Sequence, residues 1–85
     1  MDEQIYRTAH LALAAFLDVK GKRLLCIETN GSRCFMVFEH TDDVPDLVNE
    51  FWKGAAVSAR LFAERLRDMK ARIVEAKHAH LTSIR

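Results

Sequence analysis

The sequence predicts an α+β fold in the order helix, β-hairpin, short helix, long helix (αββαα), with a two-stranded antiparallel ribbon. Three observations predict it. Asn30-Gly31 stands between two runs rich in strand-forming residues, the pair that a tight hairpin turn prefers. Phe62, Leu66, Met69, Ile73 and Ala76 step by four, three, four and three, the stripe of a helix with one face on a core. An Ala-rich apolar run before Lys20-Gly21 has the propensity and the stop signal of a first helix.

Residues 2–22 read as that first helix. Ile5, Ala9, Leu13 and Phe16 fall on one stripe, joined by Ala12 and Leu17. The hairpin follows. With Asn30-Gly31 at the centre of a type I′ turn, Thr29 pairs with Ser32, Glu28 with Arg33, Ile27 with Cys34 and Leu25 with Met36. Cys26 then faces Phe35, across the ribbon from Cys34, so no bond joins the two thiols. One face of the ribbon shows Leu25, Ile27, Cys34, Met36 and Phe38; the other shows Leu24, Cys26, Phe35 and Val37. Both faces are apolar, whereas a half-solvated ribbon alternates. Two strands alone are marginal. The expectation is a ribbon extended or covered in a homodimer, although helices of the same chain could cover both faces.

The short third element starts near Asp42-Asp43, with Pro45 in its first turn, and ends at Gly54; Leu47, Val48 and Phe51 form its apolar side. Ser58 is the expected N-cap of the long last helix, with Val57 and Phe62 at the N′ and N4 positions of a hydrophobic staple. The residues from Leu81 onward are expected to fray. Trp52 points about a third of a turn from Phe51. Large aromatics are mostly buried, so it is expected to fill the angle between the last two helices. Displayed instead, it would form with Phe51 a site for a protein partner.

Eighty-five residues make one domain, 1–85, with a small core. Residues 1–10 are polar and acidic, without the apolar region of a secretory signal, and the longest apolar run, Leu11 to Leu17, is too short for a bilayer. A cytoplasmic protein with no membrane partner is expected. Charge is divided unevenly: residues 1–50 carry five Lys/Arg against nine Asp/Glu, and residues 51–85 carry eight against three. Either the halves attract each other, or the basic half attracts an anionic partner.

No chemistry stands out. His10, His40, His78 and His80 with Cys26 and Cys34 have none of the spacings of a zinc site, and both thiols lie in apolar segments that quiet them. Asp42, Asp43 and Asp46 suit a helix start better than a cation. No nucleophile elbow, phosphate loop or dinucleotide loop is present. The expectation is therefore no enzyme, no metal and no cofactor. What remains is an interaction module binding a protein through Phe51 and Trp52. The alternative is a nucleic-acid binder using Arg60, Arg67, Lys70 and Lys77 of the last helix, although these basic residues spread beside the apolar stripe with Glu64, Asp68 and Glu75 interleaved, and a dedicated phosphate-binding face is cleaner.

The order of elements resembles a family of small uncharacterised bacterial and phage α+β proteins. The resemblance rests on Phe35-Met36-Val37-Phe38, on Phe51-Trp52-Lys53-Gly54, on Ala59-Arg60 and on Lys70-Ala71-Arg72, over about residues 8–74. Relatives often have an acidic N-cap where Ser58 stands here. The resemblance implies the fold and a phage or mobile-element setting, in which the chain would be an accessory protein or an inhibitor. It implies no activity.

Overall fold

Strand β3 (Arg33–Glu39) runs through the middle of a three-stranded antiparallel sheet, with β1 (Ile5–Thr8) on one side and β2 (Leu24–Asn30) on the other. Three helices complete the described residues: α1 (Leu11–Val19), α2 (Val44–Trp52) and α3 (Ala59–Ser83). The computed structural model describes residues 4–83, with side chains as far as His78. Its thinnest dimension, 17 Å, is that of one sheet with one layer of helices.

β1 corrects the sequence reading. Ile5 belongs to no helical stripe; it pairs with Glu39, and Tyr6, Arg7 and Thr8 pair with Phe38, Val37 and Met36. Two features decide this. Ile-Tyr-Arg-Thr holds three good strand formers, and β3 has an edge for them to fill. The helix cannot begin earlier than it does, because His10 is its N-cap: the backbone is extended there and Nδ1 accepts the N–H of Leu13 at 3.2 Å. The sheet is thus three strands, not two, and the extension comes from the chain's own first residues.

The hairpin forms, but in another register. Asn30 pairs with Arg33, Thr29 with Cys34, Glu28 with Phe35, Ile27 with Met36 and Cys26 with Val37. The loop is Gly31-Ser32. Only Gly31 has positive φ, at 65°, which is the type II′ pattern rather than I′. This shift of two residues leaves Ile27 and Cys34 on one face and Cys26 on the other, and both cysteines are free. A bulge between Leu24 and Cys26 then exchanges the two leucines. Leu24 pairs with Phe38 and packs on the core, while Leu25 is turned out.

The helix stops fall as expected. After α1 the N–H of Lys22 donates to the carbonyl of Leu17 and that of Gly21 to Asp18; after α2 Ala55 donates to Glu50 and Gly54 to Phe51. Both are Schellman closures, with Gly21 and Gly54 at φ 85°. Ser58 Oγ caps α3 by accepting the N–H of Leu61, and Val57 and Phe62 both pack on the core. Helix α3 continues to Ser83 rather than fraying from Leu81; Ile84 and Arg85 lie outside the described residues.

One face of the sheet carries Met36, Phe38, Leu24, Ile27, Tyr6 and Thr8 toward α1 and α3, where Leu13, Phe16, Leu17 and Met69 complete the core. None of the residues on the other face, Arg7, Cys26, Glu28, Phe35 and Val37, belongs to that core. Yet Val37, which lies there, is buried. Its cover is local. Arg7 on β1 and Glu28 on β2 reach across β3 and join at 2.9 Å, and the Arg33 guanidinium lies 5.2 Å from the centre of the Phe35 ring. The apolar second face of the hairpin is therefore strapped by charged side chains of its own sheet. It does not require a second subunit.

A second clamp joins two loops. Lys22 Nζ donates to Thr41 Oγ1 at 3.0 Å and to both carboxylate oxygens of Asp43 at 2.8 and 3.0 Å, and the Thr41 hydroxyl donates to Asp43. The Lys22 and Thr41 bonds hold the Asp43 carboxyl below its ordinary 3.8. A carboxyl depressed on folding adds stability above its unfolded pKa and loses it as pH falls through the folded value. Asp43→Asn is accordingly expected to be less stable than the wild type at neutral pH, by a small margin because the pair is solvated. In urea titrations the two proteins should converge as pH falls below 3.8; a gap that persists in acid would show that Asp43 does not act through its charge.

Candidate functional site

The end of α2 presents an aromatic cluster. Val44 is buried and Leu47, Val48 and Phe51 pack on the core, so α2 lies with that side inward. One residue further round, Trp52 faces out and is 62% exposed. The expected burial of Trp52 does not occur. Phe51 takes the inward position, and the turn at Gly54 carries the chain away before α3 can close over the indole.

The exposed ring is nevertheless held. Trp52 meets Phe51 edge-on, with centres 5.0 Å apart, and the imidazole of His10 stands against both, 5.1 Å from Trp52 and 5.5 Å from Phe51. His10 is fixed in turn by its bond to Leu13 N–H and by Thr8 Oγ1, which accepts the His10 N–H at 3.0 Å. With Nδ1 accepting, the neutral ring carries its proton on Nε2. Sequence reasoning missed His10 as part of this group. The available signal was its place directly before the apolar run of α1, where a cap is required, but His is not among the favoured caps.

The four basic residues of the alternative reading are all exposed on α3. At 100° per residue Arg60, Arg67, Lys70 and Lys77 fall within about 100° of arc, while Glu64, Asp68 and Glu75 lie on the next sector. Arg60 is bonded to Glu64 at 3.5 Å. Of the ion pairs among the described residues, only Arg65–Asp18, at 3.2 Å, joins the acidic half of the sequence to the basic half. Attraction between the halves therefore leaves most of the basic helix uncompensated. Val74, 65% exposed, sits within the same strip.

No group of three or more His, Cys, Asp and Glu is arranged to hold a metal among the described residues, and none of their helices is long and apolar enough to cross a membrane. His80, considered as a ligand from the sequence, has its side chain outside them.

A small α+β domain with a strapped three-stranded sheet and a displayed tryptophan is the class that fold and site define. The chain belongs to the DUF5659 family, a domain of unknown function, which it matches over residues 3–75. This agrees with the resemblance to an uncharacterised family. No curated protein and no solved structure matches it.

The cluster makes an unequal prediction for two neighbouring aromatics. Trp52→Ala should change stability by about 0.5 kcal/mol or less, as at other exposed positions. Phe51→Ala should cost on the order of 2 kcal/mol. His10→Asn keeps a cap but removes the ring beside Trp52, so collisional quenching of the sole tryptophan should rise while urea stability stays near wild type. Unchanged quenching would mean that His10 does not hold the indole.

Proposed function

We propose that the chain is a non-catalytic interaction module, a homodimer that docks a protein partner through Trp52, Phe51 and His10. The observation that carries this reading is the exposure of Trp52, 62%, on an indole already fixed by two neighbouring rings. Tryptophan dominates binding energy at interfaces where it is displayed, and a ring held before binding loses little freedom on docking. In the phage or mobile-element setting that the resemblance implies, the module acts as an accessory protein or an inhibitor of a host protein. The tests are direct. Immobilised wild-type protein should retain a specific partner from host lysate, and Trp52→Ala, folded by circular dichroism, should lose it. Equal retention by the variant would refute the site.

A second reading has its own observation: the segregation of Arg60, Arg67, Lys70 and Lys77 on one exposed flank of α3. A strip of this kind meets phosphates, and its binding weakens steeply with salt. On this reading Lys70→Glu combined with Lys77→Glu abolishes a mobility shift of single- or double-stranded probes, and no shift at low salt rejects it.

A further inference from the structure

Strand β2 is the long open edge of the sheet. It pairs with β3 on one side and with nothing on the other among the described residues. The two-residue loop makes Asn30–Arg33 a hydrogen-bonded pair, and alternation from there turns the N–H and C=O groups of Thr29 and Ile27 outward. Sheets blunt such edges with short strands, Lys or Pro. The opposite edge, β1, is blunted: it has four residues and carries Arg7. β2 has seven, with no basic residue and no proline; its bulge, between Leu24 and Cys26, blunts only its start and displays Leu25, 42% exposed, while Cys26–Asn30 pair in regular register. Beside this edge runs a cleft of about 310 Å³, with residues 24–27 as one wall and Arg72, Glu75 and Ala76 of α3 as the other. Arg72 and Glu75 are exposed and form no ion pair with described residues.

We propose that this edge and cleft are closed by a second copy of the chain, through antiparallel pairing of β2 with β2 about a two-fold axis perpendicular to the sheet. The surface rests on the homodimer part of the reading above and is independent of Trp52. Two three-stranded sheets become one of six. The operation keeps both α3 helices on the same side of the sheet and sets them antiparallel across the axis. The charges favour this occupant. A helix flank with Arg72 and Glu75 one turn apart is self-complementary when inverted: Arg72 meets the partner's Glu75, and Glu75 meets the partner's Arg72. A wall of both signs suits an isologous contact, in which each contact occurs twice. A nucleic acid would be repelled by Glu75, and an extended peptide would leave both charges without assigned partners. Leu25 leaves water in the same step.

The test uses the full chain. Light scattering on the wild type should give the mass of a dimer. Arg72→Glu places two acidic groups against each other in both contacts and should give the monomer; Glu75→Arg should do the same with two basic groups. Arg72→Glu combined with Glu75→Arg restores opposite signs and should restore the dimer. Both positions are exposed, so folding should be unchanged by circular dichroism. Independently, the axis passes beside Cys26 and Ile27. A Cys34→Ser variant should therefore be joined into a covalent dimer by a short bis-maleimide through Cys26, and Cys26→Ser should not. Rescue by the double exchange, with cross-linking through Cys26, supports the surface. A monomeric wild type overturns both the dimer and this surface. A dimer indifferent to Arg72→Glu and not joined through Cys26 overturns the surface alone.

Discussion

Strand β3 must be satisfied on four sides at once, and the rest of the structure follows from how this is done. Met36, Val37 and Phe38 are consecutive and all buried, so the strand has no solvent face along that stretch. Its two edges take β2 from the hairpin and β1 from the start of the chain. One face takes α1 and α3. The other face is closed by Arg7, Glu28 and Arg33 from within the sheet. The guanidinium groups do this because their stems can lie on apolar surface while their charges stay in water. Burial of a second face is thus achieved without another layer, which a chain of this length would have difficulty supplying.

The position of α2 follows from the same arrangement and determines what is displayed. Its inward side is committed to the core through Val44, Leu47, Val48 and Phe51. A nine-residue helix that ends in a Schellman turn has no further turn with which to cover the next position. Trp52 is therefore left outside by geometry, and His10, placed by the start of α1, meets it edge-on at 5.1 Å. Display and rigidity come from two different elements, one ending and one beginning at the same corner.

Electrostatics in this protein is local. Lys22 with Asp43 joins two loops, Arg7 with Glu28 crosses one strand, and Arg65 with Asp18 ties α3 to α1. These contacts use few of the basic residues of the second half of the chain. Arg60, Arg67, Lys70 and Lys77 gather on one flank of α3, while Arg72 lies beside Glu75 on another. A single helix thus carries a basic strip and a flank of both signs, and the two do not overlap.

Much of the local structure was legible because it depends on neighbours in sequence. Gly21 and Gly54 end helices since positive φ is required there, Ser58 caps α3, and Phe62, Met69 and Ile73 of the expected stripe face the core. The face assignment of Cys26 and Cys34 survived a change of register because the shift was by two residues, and sheet side chains repeat with that period. What tertiary structure alone decided has the opposite character. Ile5 fits a helical stripe by spacing, and the vacant edge of β3 takes it up as a strand. The bulge that exchanges Leu24 and Leu25 comes from fitting Leu24 against Phe38, a contact across the hairpin. Whether Trp52 is covered depends on where α3 lies after the turn at Gly54, and whether the second hairpin face is exposed depends on two charges 21 residues apart meeting over a strand. Propensity, capping and periodicity act over a few residues and can be read from the chain. Pairing, cover and exposure are settled by what lies opposite in space, and no short stretch of the sequence contains it.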